Sequence, residues 1–293
     1  MVINIRYYVI MSASIFLALG VGIFIGFSLD GQEIFVEQQQ GLITELEQRF
    51  SDLKQQNTMM ETMMKDSKKE LEMYRELLER LMPQLVKDVL EGLNIAIIQS
   101  GGYTDHGGMI SMLNHAGARV SSTIRINKDF FCDDRQWAIL LKENLDEFVE
   151  EDQLQPYIFR RLVNAVITGG DQGFVRCMKE MGVIEVSEGY SGEVDYFILA
   201  GEGFAAGPGM AAEPGVFIIE AIKRSNIPAV GVEKSDCEKS SIPRYRDARI
   251  SSVDNVESVI GQYSLIRVIQ GCTGHYGLKE TAQALIPPWP EEM

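Results

Sequence analysis

Hydrophobic and polar positions change rhythm three times along this chain. From Tyr7 to Leu29 there are 23 residues without a charge, YYVIMSASIFLALGVGIFIGFSL. As a helix this run spans roughly 35 Å, enough to cross a hydrocarbon core of about 30 Å. A cleaved signal peptide has an apolar core of roughly 7–15 residues and an A-x-A-like site. This run is longer and passes through Gly26-Phe27-Ser28-Leu29-Asp30 with no such site. A retained transmembrane anchor over residues 1–30 is therefore expected. Ala18, Gly22 and Gly26 recur at every fourth position, a small-residue face on which two anchors can approach closely.

The second rhythm steps alternately by three and four residues. It runs through Val36, Gln39, Ile43, Leu46, Phe50, Leu53, Asn57, Met60, Met64, Ser67, Leu71, Tyr74, Leu78, Leu81 and Leu85, and only Gln39, Asn57 and Ser67 interrupt the apolar and aromatic series. A heptad kept for about seven repeats predicts a left-handed coiled coil rather than a helix on a globular surface. With Ile43 at an a position, Asn57 is also at a, where one buried amide favours two parallel strands in fixed register. Glu70 and Arg75 are placed to pair between chains, whereas Arg49 and Lys54 would meet as like charges, so charge adds little. The stalk, residues 31–91, would reach roughly 75 Å. Pro83 marks its end and Gly92 the turn beyond it.

The third rhythm is that of an α/β domain, residues 92–286. Leu93–Gln99 is a short Ile-rich run followed by the glycine-rich Ser100–Gly108, a helical spacing over Met109–Ala116 and a second strand over Val120–Ile126. Strand, glycine loop, helix, strand is how a doubly wound domain with a parallel sheet opens. Helices are predicted over 135–150, 156–166, 174–181, 213–225 and 256–269. Strands are predicted over Val194–Ala200 (VDYFILA), Ala229–Val232 and Ile250–Val253. Residues 287–293, opening with Pro287-Pro288-Trp289-Pro290, read as an extended tail. The expected fold class is thus α/β, with a single N-terminal transmembrane helix, a parallel coiled-coil stalk and a Rossmann-like α/β head.

Charge sets the surroundings. The net charge of −15 and pI near 4.7 leave no basic stripe to displace counterions from nucleic acid. Arg6 precedes the anchor, while Asp30, Glu33 and Glu37 follow it. Positive-inside reasoning then keeps the N-terminus in the cytoplasm and puts the stalk and head outside, in a single-pass cell-membrane protein.

Candidate chemistry is sparse. Gly101-Gly102 through Gly107-Gly108 lacks the G-x-G-x-x-G spacing of a pyrophosphate loop. Gly201-x-Gly203-x-x-x-Gly207 is one residue too long, with Pro208 and Pro214 interrupting the helix that should follow. No nucleophile elbow, H-E-x-x-H or Walker lysine is present, and no enzyme is expected. The cysteines Cys132, Cys177, Cys237 and Cys272 form no C-x-x-C, so neither a zinc ribbon nor a dense disulfide framework is indicated. The metal candidates are Cys272 and His275, a thiolate and an imidazole two residues apart that suit Cu(I) or Zn, with His106 as an outlying third. A plain glycine turn accounts for the same spacing. Met59, Met60, Met63 and Met64 form a second soft cluster, half of it explained by seam packing.

Two segments carry a resemblance. One is Phe16-Leu17-Ala18-Leu19-Gly20-Val21-Gly22-Ile23-Phe24-Ile25-Gly26 leading into the heptads. The other is Val253-Asp254-Asn255, Gly261-Gln262, Gly274-His275-Tyr276-Gly277-Leu278-Lys279, Ala282 and Ala284-Leu285-Ile286-Pro287. Together with the α/β head they resemble the MctB family of bacterial membrane-anchored proteins, usually called copper transporters. That group takes in the SteB proteins, which act with a partner, SteA, in cell separation. The resemblance implies a coiled-coil homodimer in the membrane with an extracytoplasmic head. Its role would be copper homeostasis, with copper the only metal suggested, or non-catalytic docking of a SteA-like partner. It supplies no metal-ligand motif at numbered positions.

Overall fold

The computed structural model describes residues 5–100, 105–127, 153–187, 193–201, 214–237 and 240–289. The predicted helix over 135–150, the glycines 101, 102, 203 and 207, and Cys132 lie outside the described residues. The chain divides into two compact units, Met1–Met73 and Tyr74–Met293.

Helix α1, Ile5–Leu85, is 81 residues long. Among the described residues, Ile5–Ser28 is the one segment long and apolar enough to cross a membrane. Further along, charges on α1 pair within the chain at i, i+4: Arg49 with Glu45 at 2.7 Å, Arg75 with Glu79 at 2.9 Å and Arg80 with Glu76 at 2.6 Å. The like charges foreseen at Arg49 and Lys54 are thus eased by Glu45, and Arg75 uses an acid of its own helix. Pro83 falls inside the last turn and α1 ends two residues later, because proline removes a donor and crowds the carbonyl one turn back.

The second unit is built on a seven-stranded sheet. Its strands are β1 (Asn94–Ser100), β2 (Arg119–Ile126), β3 (Ile184–Val186), β4 (Tyr196–Gly201), β5 (Ala229–Val232), β6 (Ser251–Val253) and β7 (His275–Tyr276), in spatial order β3-β2-β1-β4-β5-β6-β7. Every pairing is parallel except β2 with β3. The helices are α2 (Gly107–His115), α3 (Leu154–Thr168), α4 (Gln172–Glu180), α5 (Pro214–Ser225), α6 (Ile242–Asp247) and α7 (Val259–Ile269).

Both faces of the sheet are covered, which is why its central strands read as unbroken apolar runs instead of alternating ones. Ala96, Ile98, Ile124, Ile126, Phe197 and Leu199 face one core with Phe159 and Leu162 of α3, Phe174 and Met178 of α4 and Ile222 of α5. Their strand neighbours Ile95, Ile97, Ile198, Val230, Val232 and Val253 face the other, with Met109 and Leu113 of α2 and Leu265 and Ile266 of α7. Val86 and Leu90, just past α1, are buried in that second core. The Leu90 amide donates to Ala116 O at 2.7 Å, so the chain leaving α1 is packed into the α/β unit from its first turn.

Two expectations change. The glycine turn foreseen at Cys272–His275 is partly a strand: β7 continues the sheet past β6 and pairs beyond it with Ala284. The tail is not loose either, at least as far as it is described. Trp289 lies with its ring centroid 6.1 Å from that of Tyr263 on α7, and Arg267 donates to Pro288 O at 3.4 Å.

Candidate functional site

In an open parallel sheet, chemistry collects at the carboxyl ends of the strands, near the point where the strand order reverses. Here β1 leads outward to β2 and β4 leads outward to β5, so that point lies between β1 and β4. The described polar groups beyond these ends belong chiefly to β5, β6 and β7.

Glu233, directly after β5, is fully buried. Its Oε2 accepts from the Ser241 amide at 2.7 Å, and its Oε1 accepts from Ser240 Oγ at 2.7 Å and Lys279 Nζ at 2.5 Å. A buried carboxylate is tolerable only when paired and hydrogen-bonded in this way. Lys279 also donates to Lys234 O at 3.2 Å and to Cys237 Sγ at 2.9 Å, which uses all three protons of its ammonium. Burial alone would lower the Lys279 pKa, but the hydrogen bonds to Cys237 and Glu233 carry it above its ordinary value. Burial pushes the Cys237 thiol up, against the hydrogen bond from Lys279.

Asp254, following β6, holds the next turn. Its carboxylate accepts from the Leu278 amide at 2.6 Å and from the Lys279 amide at 3.0 Å. This carboxylate lies where a side chain at Gly277 would be: a Cβ there would fall 1.8 Å from Asp254 Oδ1, and φ is +144°. Only glycine fits both constraints. Asn255 makes a similar demand on α7, since a Cβ at Gly261 would stand 2.0 Å from Asn255 O.

The sequence-derived metal candidates have different surroundings. His275 is half-buried, with Nδ1 2.8 Å from Ser252 Oγ, and burial followed by the charge of Arg246 lowers its pKa. Successive residues of a strand point to opposite faces. Tyr276 accordingly packs into the core with α2 and α7, and Cys272 is buried close enough to raise its phenol, after the larger effect of burial. His275 is turned toward Arg246 of α6 instead. His106, at the start of α2, is buried elsewhere. Burial first, then Lys234, lowers its pKa to about 4, and its Nε2 has no hydrogen-bond partner. Among the described residues no three of His, Cys, Asp and Glu are grouped to hold a metal ion.

The first glycine loop is equally unsuited to phosphate where it is described. Asp105 Oδ1 accepts from the Gly107 amide at 2.8 Å, which sets a negative charge at the α2 N-terminus where an anion would need to sit. Sequence reasoning passed over Glu233 and gave Lys279 only as part of the family resemblance, because the two are 46 residues apart and share no motif. The one local sign was the G-L-K string after β7.

The string from Val253 to Pro287 is therefore one connected structure: Asp254 under the Gly277 turn, Gly261 under Asn255, and Lys279 closing on Glu233. Residues 2–287 match the family described as copper transport outer membrane protein, MctB. The chain belongs to the MctB family. A search of curated proteins found no match. Among the described residues of this MctB member, glycines and polar locks hold the strand ends, and no three metal-ligating side chains are grouped there. Its seven described strands form an open sheet with edges at β3 and β7, unlike the closed strands of an outer-membrane barrel.

Proposed function

We propose that this protein is a membrane-tethered, parallel coiled-coil dimer whose Rossmann-like α/β heads serve copper homeostasis by binding rather than by conducting. The observation that carries the dimer is the heptad seam of α1: Ile43, Leu46, Phe50, Leu53, Met60, Met64, Leu71 and Tyr74 are each at least half exposed in the single chain. An apolar row of this length is stable in water only against a partner, and its a/d spacing fits a second copy. Binding is favoured over conduction because the one apolar span among the described residues of each chain gives a dimer of anchors with no room for a polar pore, and the described sheet is open. Arg6 before the span favours an N-terminus in the cytoplasm with the head outside. Copper comes from the family to which the chain belongs. The test is membrane extraction of the full chain, with mass by sedimentation and copper content measured on the same sample. A dimer that retains copper supports the reading, and a copper-free monomer refutes it.

A second reading, a non-catalytic scaffold that docks a SteA-like partner, is favoured by one further observation. Leu278, Leu285, Ile286 and Trp289 are each exposed in the segment after β7, and exposed apolar side chains gathered into a patch mark protein contacts. Leu285→Glu with Trp289→Ser should abolish co-purification of a partner while leaving dimer and copper content unchanged. Undiminished partner recovery would count against docking at this segment.

A further inference from the structure

Copper(I) prefers thiolate and thioether sulfur and accepts two ligands. Among the described residues, one thiol and one thioether stand together. Cys177 Sγ lies 3.5 Å from Met181 Sδ. The two are four residues apart, on one face of α4 and its C-terminal cap, where side chains meet. Phe174, Val175 and Met178 turn the other face of this helix into the core, so the sulfur pair sits at the boundary, both residues half-exposed. Cys177 is in no disulfide. Of the other described cysteines, Cys237 accepts from Lys279 and Cys272 is buried. The exposed thioethers Met59, Met60, Met63 and Met64 belong to α1, which has no cysteine. Burial and then Glu180 raise the Cys177 thiol, a rise that copper must overcome to displace its proton.

We propose that Cys177 and Met181 form a two-coordinate Cu(I) site. This rests on the copper reading above. Copper displaces the thiol proton, one proton leaves for solvent, and a neutral thiolate–copper–thioether unit results with no change of oxidation state. A linear unit holds its sulfurs farther apart than 3.5 Å, and the three rotatable side-chain bonds of Met181 supply that opening without moving the helix. Half-exposure suits a cargo site, because copper enters and leaves by ligand exchange without unfolding the domain.

The test is competition for Cu(I) between the detergent-extracted full chain and the chelator bicinchoninate, without oxygen. Cys177→Ser should weaken Cu(I) binding by about a hundredfold or more and Met181→Leu by about tenfold. Cys272→Ser with His275→Ala should change it less than about twofold, and all variants should keep wild-type circular dichroism. The X-ray absorption of the copper-loaded protein should show two sulfur neighbours. If the wild type takes copper but both sulfur variants take it equally well, the site lies elsewhere and this assignment falls while the copper reading stands. Loss with Cys177→Ser but none with Met181→Leu would also overturn the pair. If the wild type withdraws no copper at all, both readings fall.

Discussion

The strand β4 and the seam of α1 contain the same kinds of side chain and are treated in opposite ways. In β4 all six residues from Tyr196 to Gly201 are buried, and the Glu233 and Asp254 carboxylates beside the sheet find partners inside the chain. Along α1 the residues of the heptad seam from Ile43 to Tyr74 stand open. The α/β unit completes its own core, whereas the long helix has a face that one chain does not fill. On the dimer proposed above, stability is internal to the chain in the first case and depends on concentration in the second.

Breaking the internal side should have the largest effect. Lys279→Met leaves the Glu233 carboxylate buried without its cation, and should destabilise the α/β unit by about 4 kcal/mol while leaving α1 helical. Thermal unfolding followed by near-ultraviolet and far-ultraviolet dichroism on one sample separates the two. Adding Glu233→Gln to Lys279→Met should recover much of the loss, and no recovery would mean that the lysine matters for packing alone.

Acid should discriminate between the regions next. His106 is held neutral in the folded state, with its pKa lowered to about 4 from 6.5 by burial and then by Lys234. Between those values the unfolded chain binds the extra proton, so stability is full above pH 6.5 and falls as pH drops toward 4, by up to about 3 kcal/mol. His106→Leu should flatten that slope for the α/β unit, as measured by denaturant unfolding across this pH range. An unchanged slope would place the acid sensitivity on other groups.

These two effects also show what was legible in the sequence. The charge-free span, the heptads, VDYFILA and the strands at 94–100, 119–126 and 229–232 were visible because each pattern is longer than a chance run. Strands β3 and β7 were not, because three and two residues carry no periodicity, and their pairing is decided by neighbours far along the chain. Helix α6, at six residues, was missed for the same reason. The polar cluster was hidden because Glu233, Asp254 and Lys279 meet only when three strands align. Cys272 and His275 drew attention because they are near in sequence, but Cys272 precedes β7 and is buried, whereas His275 is in β7 with Nδ1 against Ser252 Oγ. The Cys177–Met181 pair was present as a four-residue spacing, yet the sequence reading paired cysteine only with histidine and weighed thioethers only along the stalk.

Sharpening the seam should give smaller effects. Asn57→Leu replaces the one buried amide expected at an a position. It should stabilise the assembly by roughly 1–2 kcal/mol and admit species larger than a dimer. Sedimentation velocity checks both, and unaltered dimers of unaltered stability would remove Asn57 from the seam. The smallest effect is expected from Arg49→Ala, which deletes an exposed in-chain pair with Glu45 and should cost about 0.3–0.5 kcal/mol.

The dimer is tested most directly by oxidative cross-linking in native membranes. Ser67 occupies a d position of the predicted register and Lys69 the outward f position two residues on. In a parallel, in-register pair, Ser67→Cys in one chain faces Ser67→Cys in the other. It should give a disulfide-linked dimer well above the wild-type background, with Lys69→Cys remaining at background. Equal cross-linking at both positions, or none at Ser67→Cys, would contradict the coiled-coil dimer.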